Sequence, residues 1–231
     1  MQALVNERKI ARGARVGKIG TALGLAFLAG GLVISLTMKD SPLLWLSFGF
    51  LVVGILISSI GTMNMNRWVR EPRADQVLAQ SLKGFDDRYR LYSHLLPAPH
   101  VLLTPVGLFV LTAQGQDGAI RLEDGKFHRD MSVTRLLRFM ADEGLGKPLA
   151  EGDSQVQALR EYLEQHSVDP NLEIENVLVF YNPRVQLDIS DAPRPVVLPK
   201  GLKRVIRKKK GGGLPATRQR ELQDLFEAEI E

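Results

Sequence analysis

The densest concentration of chemistry-bearing side chains in the chain is a run of cations, Lys200, Lys203, Arg204, Arg207, Lys208, Lys209 and Lys210, closed by Gly211-Gly212-Gly213. Ammonium and guanidinium groups at this density attract anions, either lipid headgroups or the phosphates of nucleic acid. No aromatic residue is interleaved among Lys203–Lys210 to stack on bases, which favours headgroups. The plain alternative is a solvated loop. Other chemistry is sparse. There is no cysteine, so disulfides, thiolate nucleophiles and zinc–thiolate sites are excluded. His94, His100, His128 and His166 are scattered, with no pair at metal-ligand spacing. A phosphate-cradling glycine loop, a nucleophile elbow and an internal repeat are all absent, and no cofactor is expected.

The elements that carry these residues divide in two. Of 30 Lys/Arg and 26 Asp/Glu, six and two lie in residues 1–63, leaving twenty-four of each in 64–231. The net charge of +4 therefore sits wholly in the first segment, and global charge gives no argument for nucleic-acid binding. Two uncharged apolar stretches, about 19–38 and 42–63, are each near the ~20 residues that cross a bilayer. Residues 1–66 are thus expected to form a membrane hairpin with a tight turn at Lys39-Asp40-Ser41-Pro42. The first stretch is too long for a cleaved signal peptide. Arg8, Lys9, Arg12, Arg15 and Lys18 precede it, and Arg67, Arg70 and Arg73 follow the second, against Lys39 in the turn. That asymmetry predicts an integral protein of the plasma or inner membrane with both termini cytoplasmic. Gly20-x-x-x-Gly24 and Gly30-Gly31 are places where helix backbones could approach closely.

Residues 71–231 read as a cytoplasmic domain. Val101–Leu103 and Leu108–Leu111 are short β-prone runs separated by Thr104-Pro105-Val106-Gly107, which predicts a buried central hairpin. A helix is expected from Pro72 to Gly84, a first strand over Arg88–Leu95, and a hairpin turning at Asp124-Gly125. Further on come a short helix over Met131–Met140, a loop over Gly144–Gly152 and a helix over Ser154–His166 capped by Asp153. Glu175–Tyr181 reads as a buried strand and Val185–Ile189 and Pro195–Leu198 as short extended pieces. Leu202, Val205 and Ile206 suggest an amphipathic helix under the basic run, and Thr217–Glu231 a last helix. The fold class is α+β, a mixed sheet flanked by helices.

Over residues 99–114 the sequence resembles the nuclease-related domain (NERD) family, whose motif runs Asp-His-apolar-apolar-apolar-x-Pro-x-Gly-Val-Phe-Val-Ile-Glu-x-Lys. His100, Pro105, Gly107, Phe109 and Val110 fall on matching positions. The resemblance implies a fold like that of the PD-(D/E)xK restriction endonucleases and extends over about 75–200. It also implies where a divalent cation would be held, and there the residues depart from the family. The motif's Asp falls on Pro99, its Glu on Thr112 and its Lys on Gln114. Such nucleases need a carboxylate pair for the cation and a lysine near the water or phosphate. Asp75 lies near the family's first-helix acid, and Gln155 with Leu163 has the spacing of its helical glutamine. Their plain readings are a helix N-terminal charge and a solvated first-turn residue.

These observations imply a membrane-anchored, catalytically degenerate domain that binds protein, nucleic acid or a lipid surface, with no metal held. The alternatives are a Mg-dependent nuclease with acids migrated to Asp75, Asp117 and Glu123, or a structural assembly protein of the membrane.

Overall fold

A computed structural model describes residues 1–37, 44–130, 144–169, 172–189, 191–209 and 213–228. The turn expected at 39–42 and the helix expected over 131–140 lie outside the described residues. The chain divides into two compact units, one built from Met1–Asn6, Ala74–Met131 and Gly144–Glu231, the other from Glu7–Arg73.

In the first unit a six-stranded mixed sheet forms the centre. Its strands are β1 (Gln2–Val5), β2 (Arg90–Ser93), β3 (His100–Thr104), β4 (Gly107–Gln114), β7 (Ile174–Phe180) and β9 (Val196–Val197), in the order β1-β2-β3-β4-β7-β9. The expected hairpin is the middle of this sheet, with Val101 opposite Val110 and Thr104 opposite Gly107. Thr104 closes the turn by donating to the Gly107 carbonyl at 2.8 Å. A smaller sheet, β6-β5-β8, contains β5 (Gly118–Glu123), β6 (Lys126–Arg129) and β8 (Val185–Asp188). Its turn places Asp124 at φ 50° and Gly125 at φ 71°, the left-handed pair that a two-residue hairpin requires.

Alternation along the strands makes two cores. One face packs Tyr92, Val101, Leu103, Leu108 and Val110 against α4 (Pro148–Gln165) and α6 (Ala216–Ala228) through Leu159, Leu163, Leu222 and Phe226. The other packs Leu91, Leu102, Phe109, Leu111, Val177 and Val179 against α3 (Ala74–Leu82) and α5 (Pro199–Lys208) through Leu78, Leu82, Leu202 and Ile206. The result is a mixed α+β domain with helices on both faces of the sheet.

Two expectations are corrected. Residues 1–6 were assigned to the hairpin, but Gln2–Val5 pairs in parallel with Arg90–Ser93 as the edge strand. The hairpin is therefore an insertion between β1 and α3. In addition, α4 begins at Pro148 and not after Asp153. Proline at the first helical position has its φ preset and lacks a donor that would be orphaned anyway, so Lys147-Pro148 opens a helix where a loop was expected.

The second unit is α1 (Glu7–Thr37) against α2 (Leu44–Trp68). With 31 and 25 residues they are about 46 and 37 Å long, and both are long and apolar enough to cross a membrane. Their buried positions are Ile10, Gly17, Gly24 and Gly31 on α1 and Ser47, Gly54, Gly61 and Trp68 on α2. Each set recurs every seven residues, the 3.5-residue period of a left-handed helix pair. The backbones touch: a Cβ on Gly24 would lie 2.5 Å from the Ser58 nitrogen, and one on Gly61 2.3 Å from the Thr21 nitrogen. Bulk faces outward instead. Among the described residues, every exposed large apolar side chain except Leu198 belongs to these two helices.

Candidate functional site

Residues of β4 with even numbers point to the α4 side of the sheet: Leu108 and Val110 enter the core, and Thr112 and Gln114 continue the row. On α4 the matching stripe is Glu151, Gln155, Leu159 and Leu163, spaced by four, so the helix meets β4 apolar-on-apolar at one end and polar-on-polar at the other. The polar end is a closed network. Thr112 donates to Gln155 Oε1 at 2.8 Å, and Gln155 Nε2 donates to Glu151 Oε1 at 3.0 Å. Gln114 Nε2 donates to the other carboxylate oxygen at 2.8 Å. Asn176 on β7 donates from Nδ2 to Thr112 Oγ1 at 2.9 Å and to the Val110 carbonyl at 3.1 Å. Arg194 closes the rim, donating to Asn176 Oδ1 at 3.1 Å and to Asp153 Oδ1 at 2.6 Å. Gly152 is required by this approach, because a Cβ there would stand 2.3 Å from Asn176 Oδ1.

Three positions picked out by the resemblance, Thr112, Gln114 and Gln155, are thus brought together. Pro99 precedes β3; continued two residues past Val101–Val110, the register sets it opposite Thr112, and its carbonyl accepts from the His94 nitrogen at 2.7 Å. His100 has the opposite parity and faces away, paired through Nδ1 with Ser93 Oγ at 3.1 Å and edge-on to His94 at 4.8 Å. Asp75 stands one turn before Leu78 on α3, which covers the opposite face of the sheet. Glu151, Asn176 and Arg194 were not anticipated. The Glu151–Gln155 spacing is the signal that could have found the first, had the helix been started at Pro148.

A hard divalent cation calls for several carboxylate oxygens. This network offers Glu151, with both carboxylate oxygens already accepting from primary amides, and at its rim Asp153, accepting from Arg194, together with a neutral hydroxyl, the side-chain amides of Gln114, Gln155 and Asn176, and a guanidinium. The donor set does not fit such a cation. Among the described residues no group of three or more His, Asp or Glu is placed to hold one. The migrated set is not assembled either. Asp117 is taken by Arg129 and by Arg184 at 3.4 Å, and Glu123 lies at the far end of β5, six residues or about 20 Å away.

The basic run splits by direction. Leu202 and Ile206 bury α5, and Lys203 turns back to donate to the Lys83 carbonyl. Lys209, with its side chain 6% exposed, lies 3.4 Å from Glu173 and 3.3 Å from Glu175, at ion-pair distance without hydrogen-bond geometry. Of the predicted binding residues, Lys203 and Lys209 are thus engaged by groups of the domain itself. Arg204, Arg207 and Lys208 are exposed, and Lys210 lies outside the described residues.

A separate cavity of about 460 Å³ is lined by Asp86, Asp87, Arg88, Arg90, Gln219 and Arg220, among others. Its charges are mostly paired internally. The side-chain hydrogen bonds of Arg88 hold the Asp86 carboxyl below the usual range, and Arg90 is bound to Glu227. Beside that pair, burial pushes the Tyr92 hydroxyl well above its ordinary range. No family model, no curated protein and no solved structure matches the chain.

Proposed function

We propose that this chain is a membrane-anchored domain that acts by binding, on a nuclease-related, restriction-endonuclease-like scaffold whose metal chemistry has been replaced by neutral side chains. The observation that carries this reading is the convergence of Thr112 and Gln114 on β4 with Gln155 on α4 in one network whose carboxylates, Glu151 and Asp153, are both engaged by donors. The binding partner is a protein, a nucleic acid or a lipid surface. The anchor is supported by the inverted packing of α1 and α2, glycine inside and bulk outside. A cleaved signal sequence fits poorly, because cleavage would strip β1 from the sheet. Pairing of β1 with β2 supports a hairpin whose two ends lie on one side of the membrane, and the flanking cations favour the cytoplasmic side.

The test is cleavage. The full-length protein in detergent, incubated with plasmid DNA and Mg²⁺ or Mn²⁺, is expected to leave the plasmid intact. Metal-dependent nicking that disappears in Glu151→Gln contradicts the reading.

A further inference from the structure

We propose that the outward face of α5 is a docking surface for anionic lipid headgroups, an inference that rests on the membrane anchoring proposed above. At about 100° per residue, Lys200, Arg204, Arg207 and Lys208 fall within an arc of roughly 100° directly opposite Leu202 and Ile206. All four are exposed. Arg207 lies over the Phe85 ring at 5.3 Å, which holds its guanidinium on the surface. Among the described residues, Lys200, Arg204 and Lys208 have no ion-pair or hydrogen-bond partner. Lys83, also exposed, adjoins the face through its carbonyl, which accepts from Lys203.

These uncompensated cations stand out because residues 64–231 carry equal numbers of acids and bases. With a total of zero, the surplus of cations on this face is matched by a surplus of acids elsewhere in 64–231, so the charge is segregated and this face is the basic one. Apolar residues on the same helix are all consumed by the core, so the face works by charge and not by insertion. An anionic surface of low curvature meets an arc of four or five cations with every headgroup replaceable by the next, and no aromatic lies exposed on the face to stack a base. Tethering supplies the rest: attached to a bilayer, the domain meets headgroups at a high effective concentration, so weak contacts suffice. Each cation near an anionic leaflet changes the docked-to-free ratio about fivefold.

The experiment uses the full chain in vesicles of phosphatidylcholine with or without phosphatidylglycerol, and reads the acetylation rates of individual lysines by mass spectrometry. Lys126, exposed on β6, is the internal reference. Lys200 and Lys208 are expected to react several-fold more slowly when phosphatidylglycerol is present, with Lys126 unchanged. High salt should abolish the protection, and Arg204→Ala should reduce it about fivefold. Equal rates in both vesicles at low salt overturn the proposal. Protection by duplex oligonucleotide but not by phosphatidylglycerol overturns it in favour of nucleic acid. Alkaline carbonate extraction of the chain from neutral vesicles would overturn the anchoring itself, a separate failure from loss of lysine protection.

Discussion

Thr112 is the hinge of the polar network, accepting from Asn176 and donating to Gln155 while almost fully buried. Thr112→Val keeps the shape and strands a buried amide donor and acceptor, so it should cost about 1–3 kcal/mol in denaturant unfolding, with Thr112→Ser close to wild type. A valine variant of unchanged stability would mean that the network does not hold α4 to β4. The same geometry predicts a gain. In the triple variant Pro99→Asp, Thr112→Glu, Gln114→Lys, two carboxylates would face each other across the hairpin beside Glu151, and Mn²⁺ should raise its melting temperature but not that of the wild type. At this scale the sequence was partly legible. The family resemblance singled out Thr112, Gln114 and Gln155, and strand alternation on β4 with the four-residue spacing on α4 is what brings them together. The resemblance could not locate Asn176 or Arg194, which join only through the β4–β7 pairing, a contact between residues more than sixty positions apart.

Elements differ in how much of their cause is local. The hairpin of β3 and β4 and the buried strand β7 are readable because each holds an unbroken apolar run, Val101–Leu103, Leu108–Leu111 and Val177–Phe180, and the first two are parted by their own turn residues. Strand β1 was not, since Gln2–Val5 has no local reason to be extended apart from the partner it finds in β2. The heptad of small residues in α1 and α2 is present in the sequence, and the shorter Gly20-x-x-x-Gly24 spacing shares only Gly24 with it. That heptad makes a prediction. Gly61→Leu should force the helices apart and cost roughly 1–3 kcal/mol by overpacking, seen as lower thermal stability in detergent. Gly49→Leu, where nothing lies within 4 Å, should be neutral. Equal effects at both positions would sink the close-packed hairpin.

For the whole molecule, the insertion of a hairpin between two strands of one sheet ties the N-terminal strand and the main domain to the same side of any membrane the hairpin crosses. A reporter fused after Glu231 should be active in its cytoplasmic form only, and periplasmic activity would reverse the assignment made from Arg8–Lys18 and Arg67–Arg73. The central claim of the proposal is that the polar network between β4 and α4 holds no metal ion. Calorimetric titration of the full-length protein in detergent with Mn²⁺ tests it most directly. The account predicts no saturable heat in the wild type and none in Glu151→Gln. A stoichiometric binding isotherm in the wild type that vanishes in Glu151→Gln would contradict it and restore the site to metal chemistry.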